Sequence, residues 1–223
     1  MLAFVRSRFR APWFQQAGIS VGLALLVFVA CLVGIYSRMP GTLAAFWPAN
    51  ALLLGLLVRF PSAASVSTWL AAAVGYLAAD LATGSTLVKA ALLNSANLVG
   101  VVVGYLLVRR IATGDLRLGN MRSVGWLAAL ATTSAAAAAV VGGVAQMVLF
   151  RDPFWPAWLG WYSEEVLNYT VILPIIFTFP SRLVVRMRRT DVRRLVLPTV
   201  FLLASAAPAW LLQGFGTVAF VAC

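Results

Sequence analysis

The apolar residues of this chain come in runs of about 20, the length an α-helix needs to cross a ~30 Å hydrocarbon layer, and short polar joints separate the runs. The pattern predicts spans over Ala17–Tyr36, Thr42–Val58, Ala63–Ala82, Leu87–Val108, Val124–Phe150, Trp155–Phe179 and Leu195–Leu212. Gly214-Phe215-Gly216 then leads into Thr217–Cys223, which reads as the opening of an eighth span, so the chain is expected to be cut within its last helix. The predicted fold is all-α, a polytopic transmembrane helix bundle of seven full spans plus the start of an eighth. Residues 1–16 read as a basic cytoplasmic leader with Arg6, Arg8 and Arg10, and 17–223 as one integral membrane domain. Phe28-Val29-Ala30-Cys31 only loosely matches a lipoprotein cleavage box, and the first span reads as an uncleaved anchor.

Charge sets the expected orientation. With alternate sides counted from a cytoplasmic start, the inner joints hold Arg6, Arg8, Arg10, Arg59, Arg109, Arg110, Arg117, Arg122, Arg182, Arg186, Arg188, Arg189, Arg193 and Arg194. The outer joints hold Arg38, Lys89 and Arg151. This excess matches the positive-inside bias of multi-pass proteins and places the N-terminus in the cytoplasm. Trp47, Trp155, Trp158, Trp161 and Trp210 fall towards the outer ends, where indole rings favour the interface.

Composition then narrows the function. Of the 223 residues, 62% are hydrophobic and 10% charged, against about 45–50% and about 25% in soluble domains. The net charge of +11 lies in the joints, which suits orientation and anionic headgroups and argues against a nucleic-acid partner. The chain has no histidine, and Cys31 and Cys223 have no pairing or metal spacing. These absences remove the usual zinc sites and histidine acid–base catalysis. Neither a cofactor nor a metal is expected.

Polar groups in hydrocarbon are costly unless partnered, so they mark the candidate site. The spans supply Asn50, Asp80, Asn94, Asn97, Gln146, Glu164, Glu165 and Asn168, nearly all in the expected outer half. Trp161, Glu165, Asn168 and Tyr169 recur at helical spacing on one stripe, and Asn94, Asn97 and Gly104 share a face. The functional reading is a cavity open to the outside and lined by these groups. The competing reading is that they hydrogen-bond one another and hold the bundle together. Two adjacent carboxyls cannot both face one asparagine, so one of Glu164 and Glu165 is expected to be protonated or to meet water or a ligand.

Several short stretches together resemble the bacterial membrane-associated sensor (MASE) domains of type one. They are Trp47-Pro48-Ala49-Asn50 running to Arg59-Phe60-Pro61, Ala78-Ala79-Asp80-Leu81, and Asn97-Leu98-Val99-Gly100 with Gly104 and Arg109-Arg110. The most specific is Trp161-Tyr162-Ser163-Glu164-Glu165-Val166-Leu167-Asn168 followed by Pro174, similar to a Trp-Trp-x-Gly-Asp-x-x-Gly helix with a later proline. It departs from that pattern at Glu165, where the family has Asp, and at Asn168, where it has Gly. The resemblance implies about eight spans and a sensory role ahead of a cytoplasmic output enzyme. In the family that enzyme is a histidine kinase, a diguanylate cyclase or a cyclic di-GMP phosphodiesterase.

No Gly-Gly-Asp-Glu-Phe or Glu-Ala-Leu signature and no nucleotide-binding glycine motif is present, so the chain as it stands reads as a non-enzyme. The signal-sensing candidates are Trp47, Asn50, Asp80, Asn94, Asn97, Trp161, Glu164, Glu165 and Asn168. The expected partners are the lipid bilayer, an unidentified small-molecule or membrane-borne signal, an output enzyme and a second copy of the chain. The alternative is a small transporter, which would place coupling or substrate groups at the same carboxyls, although no repeat relates residues 17–110 to 124–223. An intramembrane enzyme working through Glu164, Glu165 or Asp80 and a plain structural anchor are the remaining readings.

Overall fold

The structure, a computed structural model, describes residues 13–38, 46–111 and 121–178. Among them every regular element is helical: α1 (Trp13–Tyr36), α2 (Pro48–Arg59), α3 (Val66–Ala82), α4 (Leu87–Ile111), α5 (Met121–Phe150) and α6 (Phe154–Thr178). A 3-10 turn at Pro61–Ala63 joins α2 to α3. The ends follow from local chemistry. Pro48 opens α2, where its missing N–H costs nothing, and the Ser65 hydroxyl accepts from Thr68 N at the start of α3. Gly84 supplies the positive φ that turns the chain from α3 into α4.

The expectation of seven full spans is not supported. Three helices are long and apolar enough to cross a membrane, over Phe14–Tyr36, Leu87–Arg110 and Met121–Phe150. Helices α2 and α3 are apolar but have only 12 and 17 residues. At 1.5 Å per residue α2 is about 18 Å long, well short of a ~30 Å hydrocarbon layer. Helix α6 has 25 residues, but Glu164, Glu165 and Asn168 interrupt its apolar run. The expected seventh span and the start of an eighth lie outside the described residues, as do residues 1–12 of the expected leader.

Cross-helix contacts fix the relative directions. Gln16 Nε2 donates to Ser65 Oγ (2.6 Å) and Thr68 Oγ1 (3.1 Å), and a Cβ on Gly75 would lie 2.5 Å from Ala24 O, so α1 and α3 run parallel. Gly100 rests on Ser134 and Ala138 while Gly104 meets Leu130 and Ser134, which makes α4 and α5 antiparallel. Gly142 against Trp161 and Gly143 against Phe154 make α5 and α6 antiparallel. Arg59 at the end of α2 donates through Nη1 to the carbonyls of Ile176 (2.6 Å) and Phe177 (3.3 Å), so α2 and α6 are parallel. That contact also satisfies last-turn carbonyls that a helix end leaves open.

Helix α2 is the hub. It packs on α1, α4 and α6, and Ala49, Asn50, Ala51, Leu53, Leu54 and Leu57 are all fully buried. Its first turn sits beside Asn168, 14 residues into α6, so α2 begins inside the bundle rather than at its edge. Arg59, Arg109, Arg110 and Arg122 gather where α2 and α4 end and α5 starts; Arg38, Lys89 and Arg151 lie at the opposite end with Asp152. The described residues alone therefore carry little of the expected asymmetry. Most of it rests on Arg6, Arg8, Arg10, Arg117 and the arginines from Arg182 to Arg194, outside the described residues.

The glycines test this packing. A Cβ on Gly142 would run into the Trp161 ring, whereas Gly18 has nothing within 4 Å. Gly142→Val is expected to lower stability by about 1–3 kcal/mol, read from unfolding in mixed micelles, while Gly18→Ala leaves it within about 0.5 kcal/mol.

Candidate functional site

Asn50 stands at the third position of α2, buried from every side. Its amide nitrogen donates to Asn97 Oδ1 on α4 at 3.0 Å and to Glu165 Oε1 on α6. Its carbonyl oxygen accepts from the Tyr76 hydroxyl on α3 at 2.5 Å. Beyond Asn97 the bonds continue within α4 and then cross to α3. Asn97 Nδ2 donates to Asn94 Oδ1 (2.9 Å), and Asn94 Nδ2 donates to Asp80 Oδ2 (2.6 Å). An unbroken line of side-chain bonds therefore joins Asp80 to Glu165 through Asn94, Asn97 and Asn50, tying four helices together.

The line has a definite polarity. From Asn50 outwards each amide donates away from the centre, so both ends present a carboxyl oxygen as acceptor. At each end one carboxyl oxygen, Asp80 Oδ2 or Glu165 Oε1, thus accepts from an asparagine amide. The helical spacing explains the short-range steps: Asn94 and Asn97 are three residues apart on α4, one above the other on its face. Tyr76 and Asp80 are likewise one turn apart on α3, which lets α3 supply both a donor to Asn50 and an acceptor from Asn94.

A second contact anchors the start of α2. Trp47 precedes Pro48 as the N-cap residue, and its backbone N–H donates to Asn168 Oδ1 at 3.1 Å. Asn168 Nδ2 in turn donates to the backbone oxygen of Glu164 at 2.8 Å. The Trp47 ring lies over Gly34 of α1, where a Cβ would collide with it, and the Arg38 guanidinium stands 5.1 Å from that ring. Trp161 packs on Gly142 of α5, one turn before Glu165.

Of the nine sequence candidates, Asn50, Asp80, Asn94, Asn97 and Glu165 are drawn into one network, and Trp47 pairs with Asn168 beside it. Trp161 is buried nearby. Glu164 is only partly buried, and contributes its backbone oxygen, which accepts from Asn168. Gln146 is half-buried on α5. The groups read as lining a cavity are thus largely bonded to one another. Tyr76 and Ser134 escaped the sequence reading. The one-turn spacing of Tyr76 from Asp80 was the available signal; Ser134, in an Ala-rich run, offered none.

The chain is 24% identical over 205 residues to the "Probable diguanylate cyclase DgcF" of Escherichia coli O157:H7. The match takes in 90% of this chain but 42% of that relative, so the chain spans about two-fifths of the length of the curated protein it matches. No family model and no solved structure matches.

Asn50→Leu would leave Tyr76, Asn97 and Glu165 each short of a buried partner. At about 1–3 kcal/mol per orphaned group, unfolding in mixed micelles is expected to show a loss of at least 3 kcal/mol, roughly. Ser163→Ala, on the exposed side of α6, should change stability by less than about 0.5 kcal/mol.

Proposed function

We propose that this chain is a membrane-embedded signal-input unit that controls a cytoplasmic output enzyme, with cyclic di-GMP synthesis as the favoured output. The observation that carries the reading is the extent of the match: nearly the whole of this chain corresponds to less than half of a probable diguanylate cyclase. The described residues form helices, three of them long and apolar enough to cross a membrane. In this reading the enzyme lies outside the matched stretch, and the matched stretch supplies regulation. The motif resemblance to type-one membrane-associated sensors supports the same conclusion, and the transporter alternative gains nothing from the match.

On this account the chain crosses the bacterial inner membrane several times, with its N-terminus in the cytoplasm and its arginine-rich joints facing the anionic inner leaflet. A signal need only bias two packings of the bundle that differ by a few kcal/mol. The network centred on Asn50 is the element best placed to hold such alternatives, because moving any one of four helices breaks or remakes its bonds. A pair of chains is the expected working unit, bringing two output enzymes together.

The test joins the chain to a diguanylate cyclase output module and measures cyclic di-GMP in cells. Asp80→Asn and Glu165→Gln keep the shape of each end of the network while altering its polarity. Each is expected to change cyclic di-GMP by at least about threefold, with unchanged amounts of protein in the membrane fraction. Output unchanged in both variants would refute the control role of the network.

A further inference from the structure

Pro174 lies inside α6, one turn before the helix ends at Thr178. Proline carries no N–H, so the Thr170 carbonyl four residues earlier has no helical donor, and the proline ring crowds it. Helices bend most readily at such a point. In an apolar interior the loss must be made good by neighbouring helices. Within α6 the last turn closes back on the proline through one side chain, Thr178 Oγ1 donating to Pro174 O at 2.7 Å.

On both sides of the proline α6 is held by the same helix. Before it, Asn168 Oδ1 accepts from Trp47 N at 3.1 Å, and Glu165 accepts from Asn50. After it, Arg59 Nη1 donates to the carbonyls of Ile176 and Phe177, at 2.6 and 3.3 Å. A Cβ on Gly55 would lie 2.4 Å from Ile176 Cδ1, so the α2 backbone rests directly on that side chain. The glycine contacts that seat α6 on α5, Gly142 against Trp161 and Gly143 against Phe154, all precede the proline.

Helix α2 is suited to bridging a weak point. Its own proline stands at the first position, where it costs no bond, and its remaining turns are uninterrupted. The Arg59 guanidinium brings positive charge to the negative end of α6, where charge-assisted bonds to open carbonyls are strongest. We propose that α6 carries a hinge at Pro174, that α2 splints it, and that Arg59 is the latch keeping residues 175–178 in line. Released from Arg59, that turn swings about Pro174 while the earlier part of α6 stays fixed by Asn50 and Trp47. The device stands apart from the sensory reading, because its bending is measured on the chain alone, without an output enzyme.

The test is hydrogen exchange of the purified full chain in detergent, followed amide by amide at fixed pH. Wild type, Arg59→Met, Pro174→Ala and the double variant are compared; methionine keeps the length of the side chain but has no donor. Arg59→Met is expected to speed exchange at residues 175–178 by at least about tenfold, all four together, and at 166–173 by less than about twofold. Placed on Pro174→Ala, which restores the missing N–H, the same substitution is expected to speed exchange by less than about threefold. No acceleration, one that is graded inwards from Thr178 or spreads through all of α6, or one undiminished by Pro174→Ala would overturn the proposal. Should Arg59→Met fail to fold, Arg59→Lys decides in the same comparison. It keeps the charge but loses the planar fork, and is expected to speed exchange at 175–178 by at least about threefold, with Pro174→Ala removing the effect. An unmoved or Pro174-independent rate overturns the latch.

Discussion

The fold depends on a single amide. Asn50 donates to α4 and α6 and accepts from α3, from a short helix enclosed by the other helices. In an apolar interior each of these groups must find a partner within the protein. Asn50 therefore fixes not only which helices meet but also at what height each passes the others. Sliding one of them by a turn would move its polar group about 5.4 Å and strand two partners at once. Small residues allow the approach: Gly55 of α2 rests on Ile176, Gly75 of α3 on α1, and Gly100 of α4 on α5.

Starting α2 inside the bundle is the consequence with most bearing on function. The beginning of a helix exposes backbone N–H groups that no earlier turn can satisfy. Proline removes one of them, and Asn168 takes the N–H of Trp47. A helix end held in this manner is stable only while α6 stays in register. The two anchors of α2, Asn168 at its start and the Ile176 and Phe177 carbonyls at its end, both belong to α6. A shift of α6 would thus be felt along the whole of α2, and through Asn50 by α3 and α4.

Much of this was legible in the sequence, for identifiable reasons. Helices α4 and α5 are continuous apolar stretches ended by charged or glycine-rich joints, and their start at Leu87 and end at Phe150 were read directly. The asparagine pair on α4 and the Trp161, Glu165, Asn168 stripe on α6 followed from helical spacing alone. The length of α2 was misread because Thr42–Val58 is apolar apart from Thr42 and Asn50, and hydropathy does not distinguish a span from a short helix enclosed by protein. The expected number of spans is unsupported for the same reason at α2 and α3, whereas at α6 Glu164, Glu165 and Asn168 interrupt the apolar run and the seventh span lies outside the described residues. Which amide meets which carboxyl is a tertiary fact: nothing in the spacing of Tyr76 or Asn50, 26 residues apart, announces that they touch.

The central claim is that Asp80 and Glu165, which share no direct hydrogen bond, belong to one network through Asn94, Asn97 and Asn50. A double-mutant cycle on Asp80→Asn and Glu165→Gln, read from unfolding free energies in mixed micelles, tests it most directly. Independent sites add within about 0.3–0.5 kcal/mol, whereas members of one network couple by about 0.5–3 kcal/mol. The account predicts a coupling of at least about 1 kcal/mol, lost when Asn50→Ala breaks the line between them. Simple additivity, or a coupling that survives Asn50→Ala, would contradict it.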